Sequence, residues 1–170
     1  MFIKQFRYSR DNLGYLVFSD TQGIAIDAGN PGDIFDFARG QGVSIKYVTN
    51  THFHHDHTGG NAALLEKTNA RFIDCRRVRE PRLITLDHEK VEIIPTPGHT
   101  EDSVCFKAND FLVTGDTLFN GTVGNCFSGD LSSFFISLKK LLAFPRETKI
   151  YSGHDYVQES MKEAASIEED

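Results

Sequence analysis

Seven histidines occupy positions 52, 54, 55, 57, 88, 99 and 154, and four of them fall in the single run THFHHDHTGG, residues 51–60. Imidazole nitrogens and a carboxylate crowded this densely suit Zn, Fe or Mn, whose N and O donors converge at about 2.0–2.2 Å. An extended start to the run lets His52 and His54 point the same way. Asp56 and His57 then lie past a turn, which Gly59 and Gly60 permit, and face a second position close to the first. A polar, pH-sensitive surface loop would also hold histidines, but it gives no reason for unlike donors to be packed together.

Three further segments offer one donor each: His99 in PTPGHT (95–100), Asp116 in TGDTLF (114–119) and His154 in YSGHDY (151–156). Taken singly they are bland. A lone histidine in a stiff Pro/Gly turn, a helix-capping aspartate and a histidine at a helix start are all ordinary features. Together with His52, His54, Asp56 and His57 they make seven donors, enough for two divalent cations sharing one carboxylate at the roughly 3.5–4 Å spacing of two-metal hydrolases.

These donors must be carried by something rigid, and each segment follows a run that reads as a strand. Alternating or apolar stretches predict strands over Phe2 to Tyr8, Gly14 to Phe18, Gly23 to Asp27, Ser44 to Val48, Lys90 to Pro95, Asp102 to Lys107, Phe111 to Thr114 and Lys149 to Ser152. Helical spacing predicts helices over Pro31 to Arg39, Ala62 to Lys67 and Leu131 to Phe144, with a last one beginning near Asp155. Helices among mostly β segments imply sheet layers covered by helices.

The 170 residues carry 39% hydrophobic and 25% charged side chains, which is the balance of one globular domain over 1–170. No apolar run approaches the roughly 20 residues of a membrane span, and the first residues lack a signal-peptide pattern. A cytoplasmic location is therefore expected, with no membrane partner. Cys75, Cys105 and Cys126 are odd in number and scattered, which predicts reduced thiols. A net charge of −6 argues against nucleic acid as a partner. The local exception is CRRVREPR, with Arg76, Arg77, Arg79 and Arg82. It reads as a solvated turn, or as a contact to an anionic substrate if it sits on the rim of the site.

The four donor segments, in this order, resemble those of the metallo-β-lactamase superfamily, and their flanks are most similar to glyoxalase II, the hydroxyacylglutathione hydrolases. The resemblance implies an α+β fold, the four-layer αββα sandwich, with two metal ions at one sheet edge. It implies that His52, His54 and His99 hold one metal, that Asp56, His57 and His154 hold the other, and that Asp116 bridges. Zn is the expected metal, with Fe or Mn suited to the same donors. Asp27, in IDAGNP, matches a supporting aspartate. His55 and His88 acquire no role.

Implied in turn is hydrolysis of a small-molecule thioester, hydroxyacylglutathione or a relative, by a hydroxide held between the metals. Asp56 orients that hydroxide and accepts its proton. Tyr156 matches a glutathione-contacting position, whereas the loop 120–130 places Asn125 and Phe127 where the family has a lysine and a tyrosine. With few residues after Tyr156, the family's helical C-terminal domain is expected to be absent. Other readings of the same donors are a persulfide dioxygenase with one Fe, a lactonase or other ester hydrolase, and a metal-binding domain without turnover.

Overall fold

In the computed structural model, residues 1–168 are described. Ten strands form two five-stranded sheets, ordered β1-β2-β3-β4-β5 and β10-β9-β8-β7-β6. The first contains β1 (Phe2–Tyr8), β2 (Asn12–Phe18), β3 (Gln22–Ile26), β4 (Ser44–Thr49) and β5 (Arg71–Ile73). The second contains β6 (Arg82–Leu86), β7 (Glu89–Pro95), β8 (Val104–Ala108), β9 (Phe111–Gly115) and β10 (Lys149–Ser152). Five helices accompany them: α1 (Pro31–Gly40), α2 (His55–Thr58), α3 (Asn61–Lys67), α4 (Leu131–Leu142) and α5 (Val157–Glu168).

Strand alternation explains the layering. On β2, Leu13, Tyr15 and Val17 point between the sheets, where they meet Ile24 and Ile26 of β3 and Val91, Ile93, Phe106 and Val113 of the second sheet. Leu16 points the other way and joins Ile34 and Ala38 of α1 and Leu64 of α3 in an outer layer. Leu141 of α4 packs on Cys105 and Leu112 over the opposite outer face. Helix, sheet, sheet, helix is the expected four-layer sandwich. Each fully buried aliphatic or aromatic side chain stabilises it by about 1.5–3 kcal/mol.

Local signals set the helix starts. Asn30 accepts from the Asp33 amide at 3.3 Å ahead of Pro31, and Asp130 accepts from the Ser133 amide at 2.9 Å to open α4. Two strands lay outside the sequence reading. β5 is three residues long, and β6 alternates in burial, with Ile84 and Leu86 inward, but its residue types Arg-Leu-Ile-Thr-Leu put an apolar leucine on the exposed side, so neither shows a clean apolar/polar alternation in sequence. Both are edge strands of their sheets. The arginine-rich segment is accordingly more than a turn: it opens with a 3₁₀ turn, Cys75–Arg77, and ends inside β6. The last helix starts at Val157, two residues later than expected.

Direction matters most for the site. β3, β4 and β5 run parallel, β9 and β10 run parallel, and β7 has the same sense as β9 because each is antiparallel to β8. The carboxyl ends of β3, β4, β7, β9 and β10, and the start of β2, therefore gather along one edge of the sandwich.

Candidate metal centre

Every donor segment leaves a strand at that edge. His52 and His54 follow β4, His99 follows β7, Asp116 follows β9 and His154 follows β10. Asp56 and His57 sit on the single helical turn α2, so the turn expected after His54 is a helical one.

The donors converge. His54 Nδ1 lies 2.9 Å from His52 Nε2 and 3.2 Å from His99 Nε2. Asp56 Oδ2 lies 3.5 Å from His57 Nε2 and 3.4 Å from His154 Nε2. Asp116 reaches toward both sets: its Oδ1 is 3.6 Å from His57 Nε2, and its Oδ2 is 3.7 Å from His99 Nε2 and 3.4 Å from His154 Nε2. Three groups of side chains are each close enough to hold one cation, namely His52/His54/His99, His52/His57/Asp116 and Asp56/His57/His154. Donors bound at about 2.1 Å in tetrahedral geometry stand about 3.4 Å apart, which the observed separations bracket.

Two atoms supply an independent test of fit. His57 Nε2 and Asp116 Oδ1 are buried and have no hydrogen-bond partner among the described residues. An unpartnered buried polar atom costs about 1–3 kcal/mol, and a shared cation satisfies both atoms at once. The residues fit a metal pair.

The opposite ring nitrogens are held by their surroundings. His52 Nδ1 meets the Thr51 hydroxyl at 3.1 Å, His57 Nδ1 the Asp27 carboxylate at 3.2 Å, His99 Nδ1 the Asn125 carbonyl at 2.9 Å and His154 Nδ1 the Asp11 carboxylate at 3.0 Å. Such contacts choose the tautomer and fix the ring plane, leaving Nε2 free to ligate. Asp27 is fully buried and adopts φ 52°, a left-handed conformation that aspartate tolerates better than most residues. It also accepts from the Thr51 amide at 2.8 Å and the Thr51 hydroxyl at 2.7 Å, pinning the start of the histidine loop. Asp56 is steadied by the Asn12 amide at 2.9 Å, and the Tyr8 hydroxyl donates to its carbonyl at 3.0 Å.

Burial, reinforced by neighbouring His57, pushes His52 down to about 2, so its imidazole is neutral with a lone pair available. Burial also lowers His99. For His57 burial acts in the same downward sense, but Asp27 and Asp116 outweigh it and raise the imidazole to about 10. Burial would raise Asp116, yet His154 and His57 hold its carboxyl far below the usual range. One side of the cluster thus offers neutral nitrogens, while the other concentrates negative charge.

Close packing enforces this arrangement at Gly115 and Gly153. Gly115 adopts φ 51°, and a Cβ there would lie 2.3 Å from the Thr51 hydroxyl oxygen. At Gly153 a Cβ would lie 2.1 Å from Asp116 Oδ1. Glycine in TGD and SGH is what lets two strand ends approach the cluster.

Of the substrate-side residues, Phe127 is 66% exposed, and its ring stands 5.8 Å from that of His54 and 5.2 Å from that of His99. Asn125 contributes its backbone carbonyl to His99. The Tyr156 ring stacks on His154, with centroids 5.1 Å apart and planes at 5°. His55 is exposed, and His88 stands on the surface 3.9 Å from Asp20. Tyr8, Asp11, Asn12 and Thr51 were missed by motif reasoning. Asp11 and Asn12 lie in the turn-like SRDN before β2, which carries no metal-ligand spacing; Tyr8 ends β1, and Thr51 opens the histidine run without being a donor type suited to these metals.

Comparison with known proteins agrees with this picture. The family model of the metallo-beta-lactamase superfamily matches residues 11–77 and 73–154. A hydroxyacylglutathione hydrolase of Pelagibacter ubique is 35% identical over 185 aligned residues, covering 100% of this chain and 77% of that protein. Among solved structures, ETHE1 from Myxococcus xanthus superposes with a TM-score of 0.82 at 27% identity, covering 92% of this chain and 76% of that one. TTHA1623 in a di-iron-bound form gives a TM-score of 0.71 at 25% identity, covering 91% of this chain and 92% of that one. The chain belongs to the metallo-beta-lactamase superfamily and is one of its metallo-hydrolases. Among the described residues, no helix is long and apolar enough to cross a membrane.

Proposed function

We propose that the protein hydrolyses a small thioester in the manner of glyoxalase II. His52, His54 and His99 would hold one divalent cation, Asp56, His57 and His154 would hold a second, and Asp116 would be shared between them. The observation that carries the reading is the pair of orphaned buried atoms, His57 Nε2 and Asp116 Oδ1, in a seven-donor cluster too large for one closed structural site. The hydroxyacylglutathione hydrolase relative and the di-iron form of TTHA1623 support the same assignment. Zn is the proposed metal, with Fe or Mn compatible with these donors.

When bound, such cations lower the pKa of a water molecule toward neutrality and polarise a carbonyl. The protein's own groups do the rest. Asp56, half exposed and aimed by Asn12, orients the attacking water and takes its proton. Oxygen adds to the acyl carbon, the C–S bond breaks, and a carboxylate and a thiol leave. A thiolate leaves near neutral pH with little acid assistance, in keeping with a site whose motifs hold no lysine. Phe127 and Tyr156, whose rings stand beside His99 and His154, support the reading as its substrate-contacting side chains.

Metal content per chain, followed by S-lactoylglutathione hydrolysis with and without chelator, tests the proposal. Two metals and chelator-sensitive hydrolysis are expected. A single iron with oxygen uptake and no hydrolysis would overturn it in favour of persulfide oxidation, and turnover of lactones alone would reassign the substrate.

A further inference from the structure

The β5–β6 connection crosses the metal-bearing edge of the sandwich. β5 runs parallel to β4 and reaches that edge at Ile73, whereas β6 runs antiparallel to β7 and departs from it at Arg82. Five of the chain's nine arginines lie in or beside this connection, at 71, 76, 77, 79 and 82. Between the two edge strands opens a groove of about 530 Å³, lined by Arg71, Arg77, Arg79 and Arg82 together with Tyr47 and Phe72. Its size falls within the roughly 300–1,000 Å³ of small-molecule sites.

The charge in this groove is unbalanced. Asp74, one of two carboxylates in the wall, is committed to Arg76 through contacts of 2.9 and 3.0 Å, and to Arg77 at 3.6 Å. Arg71, Arg79 and Arg82 pair with no carboxylate among the described residues. Only Glu80 is left to oppose them. Guanidinium groups gathered around one space repel one another, in a protein whose net charge is −6, and an anion relieves that repulsion. Planar guanidinium groups bind phosphate oxygens with two parallel hydrogen bonds. Tyr47, on the same sheet face as its cross-strand partner Arg71, offers one ring for a base to stack on, whereas Phe72 pairs with Val48 and faces the other side of the sheet.

The groove is tied to the metal centre. Asp74 also positions Arg76, whose guanidinium lies 3.8 Å over the ring of Phe53. Phe53 stands between His52 and His54. From Asp74 the groove runs back along β5 to Arg71, about 10 Å at strand rise. By contrast, the loop 120–130, which braces His99 through Asn125, contains no lysine or arginine, so a carrier's anionic groups find no cation there.

We propose that this groove is the carrier subsite for a nucleotide-bearing thioester of the coenzyme A class. Its phosphates rest on Arg71, Arg79 and Arg82, its base lies against Tyr47, and its long arm passes the Arg76–Phe53 corner to bring the thioester to the metal edge. The assignment rests on the thioester reading above. It names the carrier and leaves the hydrolysis unchanged.

The test uses the full chain loaded with metal. Coenzyme A and adenosine 3′,5′-bisphosphate are titrated calorimetrically into the wild type, Arg79→Ala/Arg82→Ala and Arg79→Lys/Arg82→Lys. Acetyl-CoA and S-lactoylglutathione hydrolysis are then measured in all three, with melting temperature as the folding control. The alanine pair should weaken both ligands at least tenfold and raise KM for acetyl-CoA by a similar factor, with kcat and the S-lactoylglutathione rate within twofold; the lysine pair should recover part of the binding. No binding of coenzyme A to wild type, unchanged binding by a folded alanine pair, or preference for a single-stranded oligonucleotide would each overturn the subsite. Arginine-dependent binding without hydrolysis of either thioester would keep the subsite and sink the thioester reading. Hydrolysis of S-lactoylglutathione with no coenzyme A binding would do the reverse.

Discussion

Asp11 Oδ1 stands 3.0 Å from His154 Nδ1, joining the turn of the first hairpin to the end of the last strand across 143 residues of chain. Beside it the Leu13 amide donates to the Gly153 carbonyl at 2.8 Å and the Asp155 amide to the Asp11 carbonyl at 2.9 Å. The hairpin thereby sets the ring plane of one proposed ligand. Asp11→Ala should lower metal affinity by about 10–100-fold, the usual effect of losing a carboxylate behind a ligating histidine. Competition with a chromogenic chelator measures it; unchanged affinity would show that backbone contacts alone position His154.

Removing the shared carboxylate has a larger effect. Asp116→Ala should abolish hydrolysis and leave at most one metal per chain, because the carboxylate that would be shared between the two cations is gone. Elemental analysis of purified protein checks the stoichiometry. Chelation of the wild type should lower its melting temperature, since a metal bound only by the folded state stabilises that state.

Gly153→Ala places a methyl group 2.1 Å from where Asp116 Oδ1 now stands. Either the strand end or the carboxylate must move. The expected result is loss of metal and activity with about 1–3 kcal/mol of destabilisation, read from denaturant unfolding. A fully active alanine variant would show that the strand ends are not closely constrained.

Metal affinity should rise with pH. In the metal-free protein Asp27 and Asp116 overcome the opposing effect of burial and raise His57 to about 10, against an ordinary 6.5. A proton therefore occupies the ring over most of the neutral range and competes with the cation. The same shift stabilises the metal-free fold fully below about pH 6.5, and that stabilisation is lost as pH rises through about 10. Melting of metal-free protein from pH 6 to 10 should show the decline, and proton release on metal addition should accompany binding.

The three thiols should differ sharply in reactivity. Burial first, then the Asp102 carboxylate, pushes Cys75 well up, and burial pushes Cys105 up to about 12. Cys126 is only half buried. A maleimide reagent should label one thiol in the native protein and three after unfolding, with peptide mapping placing the first at Cys126.

The seven donors were legible in the chain because their types are rare in such density, and because each followed an apolar strand signal that survives in local sequence. Layering was legible for the same reason: the alternation along β2 and the apolar spacing of α1 and α4 are short-range patterns. Tertiary structure decided what depends on long-range approach. β5 and β6 exist because edge pairing recruits residues with weak alternation of their own. Asp11 and Asn12 become supports for His154 and Asp56 only when hairpin and last strand meet. The arginines from 71 to 82, a charged stretch in the sequence, surround one groove only because β5, parallel to β4, ends at the edge that carries the histidines and β6, antiparallel to β7, begins there. Residue chemistry is written locally, whereas its convergence is set by strand direction and packing, which no short window of sequence contains.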